Sequence, residues 1–179
     1  MIPNRKSQTP ETTLKSLPDD VEVIVVNDDD CKGANWARNE GYKRVETEYV
    51  LFSDNDINWH PGAFKSLLQT LEEHPECSYS YGAYRMGDDL YCWEPFDPEQ
   101  LKDHNYISTM SLIRTKDFPG FDENIKRFQD WDLWLTMLEQ GKIGINCGEE
   151  IFDTKIRGGI TFGGSDPFEM AEIVKKKHL

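Results

Sequence analysis

The sequence has no long hydrophobic run. No stretch approaches the ~18 apolar residues of a membrane span, and Met1 to Pro10 has no apolar core of the signal-peptide kind, so a soluble, cytoplasmic chain is expected. Basic charge is equally scarce. Twenty Lys and Arg stand against thirty-three Asp and Glu, a formal net charge of -13, and the only basic run is Lys175 to Lys177. Such a surface repels phosphate backbones and anionic lipid, which excludes general nucleic-acid binding. Cysteine is sparse too: Cys31, Cys77, Cys92 and Cys147 make no CxxC pair and no dense disulfide framework, so free, mostly buried thiols are expected. His60, His74, His104 and His178 form no HExxH or i, i+4 pair and read as surface side chains, with His104 alone having some claim to a site. Repeats, low-complexity segments and linkers are absent. The 179 residues, 37% hydrophobic and 12% aromatic, therefore imply one domain, residues 1–179, around a single core.

What is present is an alternation of strand and helix signals. Val21 to Val26 is a short β-branched run between acidic turns, as expected of a strand buried on both faces, and Tyr49 to Phe52 is a second. Gly33 to Val45 between them is long enough for a helix. Pro61 fits a first helical turn, and Phe64, Leu67, Leu68 and Leu71 recur at i, i+3, i+4 and i+7 until Pro75 stops the helix. Cys77 to Tyr84 and Tyr106 to Arg114 look like strands, and Gly87 to His104 looks like an irregular excursion. Asp130 to Gln140 carries Trp131, Trp134, Leu135 and Leu138 on one stripe and ends at Gly141, so it reads as a buried helix. Asp166-Pro167-Phe168-Glu169 opens a last helix whose negative end faces Lys175 to Lys177. The expectation is an α/β fold: a mixed, mainly parallel central sheet flanked by helices, with ligands bound beyond the carboxyl ends of its strands, at Asn27 to Asp30 and Ser53 to Asn58.

Asp54-Asn55-Asp56 follows an apolar strand directly, so two carboxylates are presented at a sheet edge, able to approach one hard cation such as magnesium, manganese or calcium. If they converge to about 4 Å, like charges repel by roughly 4 kcal/mol at an effective dielectric near 20, which calls for a cation or a proton. A plain acidic turn is the bland alternative. An EF-hand loop fails, because Trp59 stands at the glycine position and Lys65 at the bidentate Glu position. In Asp130-Trp131-Asp132, helical geometry sets the two carboxylates roughly 200° apart, so they cannot share a small site. Asp130 is the one placed to face a cleft, or else simply complements the helix dipole. Gly158-Gly159 and Gly163-Gly164 read as a lid or as a pair of turns. Trp59 and Trp93 fall in predicted loops, where an aromatic face can stack on a sugar or base.

The order of the motifs Val23 to Asp29, Ala37 to Gly41, Glu48 to Asp56 and Phe128 to Leu135 resembles that of family 2 glycosyltransferases of the GT-A fold, over roughly residues 2 to 145. The resemblance implies that Asn27 and Asp28 lie by the nucleotide base and that Arg38 borders the same pocket. It implies that Asp54 and Asp56 are a DxD motif, where Mn2+ or Mg2+ bridges carboxylates and the donor diphosphate, and that Asp130 is the general base of an inverting transfer. Residues 1–84 would then be the nucleotide- and metal-binding half and 85–179 the acceptor half, the partners being a nucleotide-sugar donor and a carbohydrate or glycan acceptor. The chain departs from the pattern at Gln129, where many relatives have Glu, and at Asn27-Asp28-Asp29-Asp30, which replaces two acids and Gly-Ser. It also keeps little more than the end of the family's first strand, from which weak donor affinity follows. The competing readings are a non-catalytic nucleotide-sugar-binding protein of the same fold and a haloacid-dehalogenase-type phosphatase. The phosphatase signature wants a small hydroxyl residue where Asn58 stands.

Overall fold

The structure, a computed structural model, describes residues 1–4, 10–155 and 166–178. Strand β1 (Ile2–Asn4) pairs in parallel with β2 (Val25–Asn27). On its other side the Met1 nitrogen donates to the Leu51 carbonyl (2.7 Å) and the Met1 carbonyl accepts from the Ser53 N–H (2.9 Å), a parallel pattern that seats β1 beside β3 (Tyr49–Leu51). The short end of the first strand is thus paired on both flanks. The β-branched run is less of a strand than its composition suggests: β2 starts only at Val25, and Val23 is exposed.

The larger sheet has the order β3, β7 (Leu112–Arg114), β5 (Tyr79–Met86), β8 (Gly144–Thr154), β4 (Asn58–Trp59), with β6 (Asp89–Tyr91) as a hairpin partner of β5. The larger sheet is mixed, as expected: β5–β8 pairs in parallel, as β1–β2 does in the smaller sheet, whereas β3–β7, β5–β7, β4–β8 and β5–β6 pair antiparallel. "Mainly parallel" therefore holds for the longest pair and for β1–β2, while of the antiparallel pairs β5–β6 is a hairpin and the others join strands distant in sequence.

Both faces of the sheet are covered, which successive residues show by alternating between two apolar clusters. Val50 and Phe52 enter one and Leu51 the other; Ile113 and Leu112 divide likewise. Helix α3 (Ala63–Glu73) covers the second cluster with Leu67 and Leu71, and starts at the left-handed Gly62, so Pro61 lies just before it rather than in its first turn. Helix α5 (Gln129–Glu139) covers the first and is buried on almost every side, with Tyr79 stacked on Trp134 at 4.4 Å. Helix α2 (Ala34–Tyr42) packs on β1 and β2, a short α1 (Glu11–Ser16) on β4, and α6 (Pro167–His178) on α5.

Four expectations need correction. The excursion at Gly87 to His104 contains β6 and a helix, α4 (Pro98–Asp103), whose first turn is capped by the Asp97 carboxylate accepting from the Glu99 and Gln100 N–H groups. Trp59 is not on a loop: it pairs with Phe152 and is buried in the second cluster. The segment from Tyr106 becomes a strand only at Leu112. His178 is not a surface side chain, as its ring is sealed between Asp132 and Glu139. The glycine pairs at 158–159 and 163–164 lie outside the described residues. Cys77 and Cys92 are buried, Cys31 is exposed, and all four thiols are free.

Candidate functional site

The strand ends of the first half and the first turn of α5 meet in one cleft of about 850 Å³, lined by Asp28, Arg38, Asp54, Asp56 and Asp130 together. Asn27 is left out: it is exposed, and its side-chain Oδ1 accepts from the Asn4 side-chain amide at 3.0 Å. Asp28 is buried, and its carboxylate accepts the Lys32 and Gly33 N–H groups (2.8 and 2.7 Å), which folds the chain back into α2. That carboxylate shapes the turn from which Arg38 projects one and a half helical turns later.

Arg38 is the buried centre of the site. Its Nη2 donates to Asp54 Oδ1 at 2.8 Å and its Nη1 to Gln129 Oε1 at 2.9 Å and Asn35 Oδ1 at 3.3 Å, while its plane lies over the Phe121 ring. One guanidinium therefore ties the loop after β3 to the start of α5. The Asp54 loop is held from below as well, since Thr13 Oγ1 and Ser53 Oγ both donate to the Asp54 carbonyl and the Trp59 indole N–H donates to Ser53 Oγ.

Asp130 sits on the second residue of α5, after Phe128 has taken a left-handed backbone conformation (φ 58°). A non-glycine residue in that region is uncommon and costs on the order of 1–3 kcal/mol, so the turn into α5 is held by its surroundings. Burial pushes the Asp130 carboxyl up, against the Trp131 N–H that donates to it at 3.0 Å, the neighbouring Asn105 amide and the charge of Arg38. Asp132, the other acid of the pair, is buried on the far side of the helix and bonds Lys177 and His178, as the angular argument requires. The two α5 indoles fix the opposite wall. Trp131 Nε1 donates to the Leu101 carbonyl (2.6 Å) and Trp134 Nε1 to the Ile107 carbonyl (2.9 Å), which sets the segment carrying His104, Asn105 and Tyr106 along the cleft. His104 thus lines the site, whereas His60 bonds Asp153 and the Glu150 carbonyl outside it.

Three contributors were not singled out from sequence. Gln129 was noted only as a departure, yet its neutral amide is an Arg38 partner and also donates to backbone carbonyls of residues 125 and 126. Asn35 holds Arg38 while donating to the Asp122 and Ile125 carbonyls, and Asn4 accepts from Asn55. All are amides, and although Asn35 and Arg38 stand at i, i+3, the contacts that place them in the site run to partners distant in sequence.

Among the described residues, no three His, Cys, Asp or Glu side chains converge as a cation cage, and no helix is long and apolar enough to cross a membrane. The cleft does offer Asp54 and Asp56, whose hard carboxylate oxygens suit a divalent cation that draws its remaining ligands from a phosphate group and water. The donor set fits a shared site rather than a closed one.

Residues 9–122 match the profile of glycosyl transferase family 2, and the chain belongs to that family. It is 30% identical over 172 residues to the UDP-Glc:alpha-D-GlcNAc-diphosphoundecaprenol beta-1,3-glucosyltransferase WfaP of Escherichia coli, covering 89% of this chain and 64% of the relative. It is 25% identical over 132 residues to the putative teichuronic acid biosynthesis glycosyltransferase TuaG of Bacillus subtilis, covering 68% and 52%. Among solved structures, S. aureus TarS 1-349 in complex with UDP-GlcNAc superposes with a TM-score of 0.75 at 17% identity over 97% of this chain and 64% of that one, a likeness of fold. The chain spans between about half and two thirds of the length of these relatives.

Proposed function

We propose that this chain transfers a sugar from a UDP-sugar to a hydroxyl acceptor by single displacement with inversion. The observation that carries the reading is the shared cleft: Asp28, Arg38, Asp54 and Asp56 from the first half and Asp130 from α5 line one hollow. Membership of the family and the UDP-sugars in the names of WfaP and of the TarS complex support a uridine nucleotide as the donor's leaving group.

In this reading Asp28 and the α2 N-terminal turn border the base and ribose, and Arg38 holds the surrounding loops in register. Asp54 and Asp56 would hold Mn2+ or Mg2+, which when bound supplies positive charge for the donor diphosphate that an acidic protein would otherwise repel. Asp130 takes the proton of the acceptor hydroxyl while that oxygen forms its bond to the anomeric carbon. The bond from the anomeric carbon to the diphosphate oxygen breaks, and its electron pair leaves with UDP. A carboxylate pushed up by burial suits this work, because a higher pKa makes a stronger base.

Calorimetric titration of UDP with and without Mn2+ tests the donor site. Asp56→Ala is expected to abolish metal-dependent binding, and Asp130→Asn to spare binding while removing transfer. No UDP or GDP binding under any metal condition would refute the reading, and undiminished transfer by Asp130→Asn would refute the assignment of the base.

A further inference from the structure

The cleft wall formed by β6 and the segment after it is built for something that the donor machinery leaves unexplained. Strand β6 is exposed at every residue, yet Leu90, Tyr91 and Trp93 present large apolar side chains there, all lining the cleft. Trp93 is the most open of them, 62% exposed. Contiguous apolar surface on a concave wall marks a ligand-binding face more often than an accident of folding.

The segment is also tied to the core by hydrogen bonds and ring stacking. Asn146 donates to both the Cys92 and the Glu94 carbonyls (3.1 and 2.8 Å), and the Tyr81 hydroxyl donates to the Glu94 carbonyl (2.9 Å). Cys92 is buried and held left-handed (φ 58°), a conformation that turns the chain so that Cys92 packs inward while Trp93 stays outside. Tyr91 stacks on Tyr84, which in turn stacks on Phe152, anchoring β6 to the core. Glu94 lines the same cleft, and among the described residues its Oε2 is sealed from water with no donor. A buried acceptor without a partner is uncommon and costly, so it marks a place where a donor belongs.

We propose that Trp93 and Glu94 form a pyranose subsite, in which the C–H face of a sugar ring packs on the indole and Glu94 turns its carboxylate outward to accept from a ring hydroxyl. The ligand supplies what this wall lacks, an apolar face for an aromatic platform and O–H donors for an acceptor. The inference rests on the glycosyltransferase reading, and the sugar belongs either to the donor or to the acceptor.

The test uses the whole chain with Mn2+ and two probes. In the donor arm, affinity for UDP-glucose and UDP-N-acetylglucosamine is measured relative to UDP. In the acceptor arm, binding of 4-nitrophenyl glucoside and N-acetylglucosaminide to the UDP-loaded protein is followed by saturation-transfer NMR. Trp93→Ala and Glu94→Gln are each expected to weaken one arm by about five- to ten-fold, while UDP alone binds within about two-fold of the parent. Trp93→Tyr should restore most of the loss. A loss in the donor arm assigns the subsite to the donor sugar, and a loss in the glycoside arm assigns it to the acceptor. Both arms unchanged, with UDP still bound, overturns the subsite alone; absence of UDP binding in the parent chain overturns the functional reading and the subsite with it.

Discussion

Replacing Arg38 by Met keeps most of the aliphatic stem and deletes the guanidinium, which makes Arg38→Met a direct measure of what the buried cation contributes. The Nη1 bond to Gln129 (2.9 Å) is charge-assisted, but Gln129 is only partly buried, so about 1.5 kcal/mol is the fitting end of the range. Asn35 is buried and loses the one donor to its Oδ1 among the described residues, which leaves an unpaired acceptor at a cost of about 2 kcal/mol. The Asp54 side chain is 43% exposed and regains water when its partner goes, so that pair contributes no more than ~1 kcal/mol. Against these stands the guanidinium's own burial, with an Nε that has no partner, worth an offset of ~1.5 kcal/mol. The net is a loss of about 3 kcal/mol, read as a lower urea midpoint at unchanged m-value. A double-mutant cycle with Asp54→Asn should return a coupling of about 1 kcal/mol. A loss below ~1 kcal/mol for Arg38→Met would refute the claim that this side chain holds the two loops together.

Asp130→Asn should be more stable than the parent at pH 7. Because burial raises the folded-state pKa, the parent loses stability as pH climbs from the ordinary value of 3.8 through the folded value, and the variant's advantage should vanish below pH 3.8; a less stable variant at pH 7 would contradict the assignment. Asp132→Ala removes a sealed carboxylate from Lys177 and His178 and should cost about 3 kcal/mol in urea unfolding. Burial lowers Lys177, but its bonds to Asp132 and Asp122 outweigh this and raise it, so the clamp's contribution is full below pH 10.5 and fades above; Asp132→Ala should flatten that alkaline decline. Gly144→Ala would put a methyl carbon 2.2 Å from the Tyr79 ring, itself fully buried against Trp134, and should lower stability by about 3 kcal/mol; an unchanged melting temperature would refute the tightness of that contact.

What could be read from the sequence was what local periodicity encodes. The stripe from Phe64 to Leu71 gave α3, and the 100° step between helical residues separated Asp130 from Asp132 before either was placed. What could not be read depends on distant partners. Val21 to Ile24 satisfies every compositional rule for a strand, but β1 offers three residues to pair with, and β2 is no longer than its partner. Trp59 lies on a two-residue strand, too short for any period, and only its pairing with Phe152 buries it. The Asp97-Pro98-Glu99 cap carries the same signal as Asp166-Pro167, and was obscured by the prolines and charges around it.

The acidity of the chain follows the same division. Composition gives the excess of carboxylates; the fold decides how each is tolerated in a common cleft. Asp28 accepts from two backbone N–H groups, Asp54 from a buried guanidinium, and Asp130 from the Trp131 N–H beside Asn105 and Arg38, under burial that raises it. Three acids of one residue type thus stand in three environments, which suits the proposed division between charge-binding and proton-accepting carboxylates. The arrangement depends on Arg38 more than on any acid, because Arg38 ties the loop carrying Asp54, proposed to face the diphosphate, to the helix that carries the proposed base. A substitution there should therefore disturb both transfer and metal-dependent nucleotide affinity.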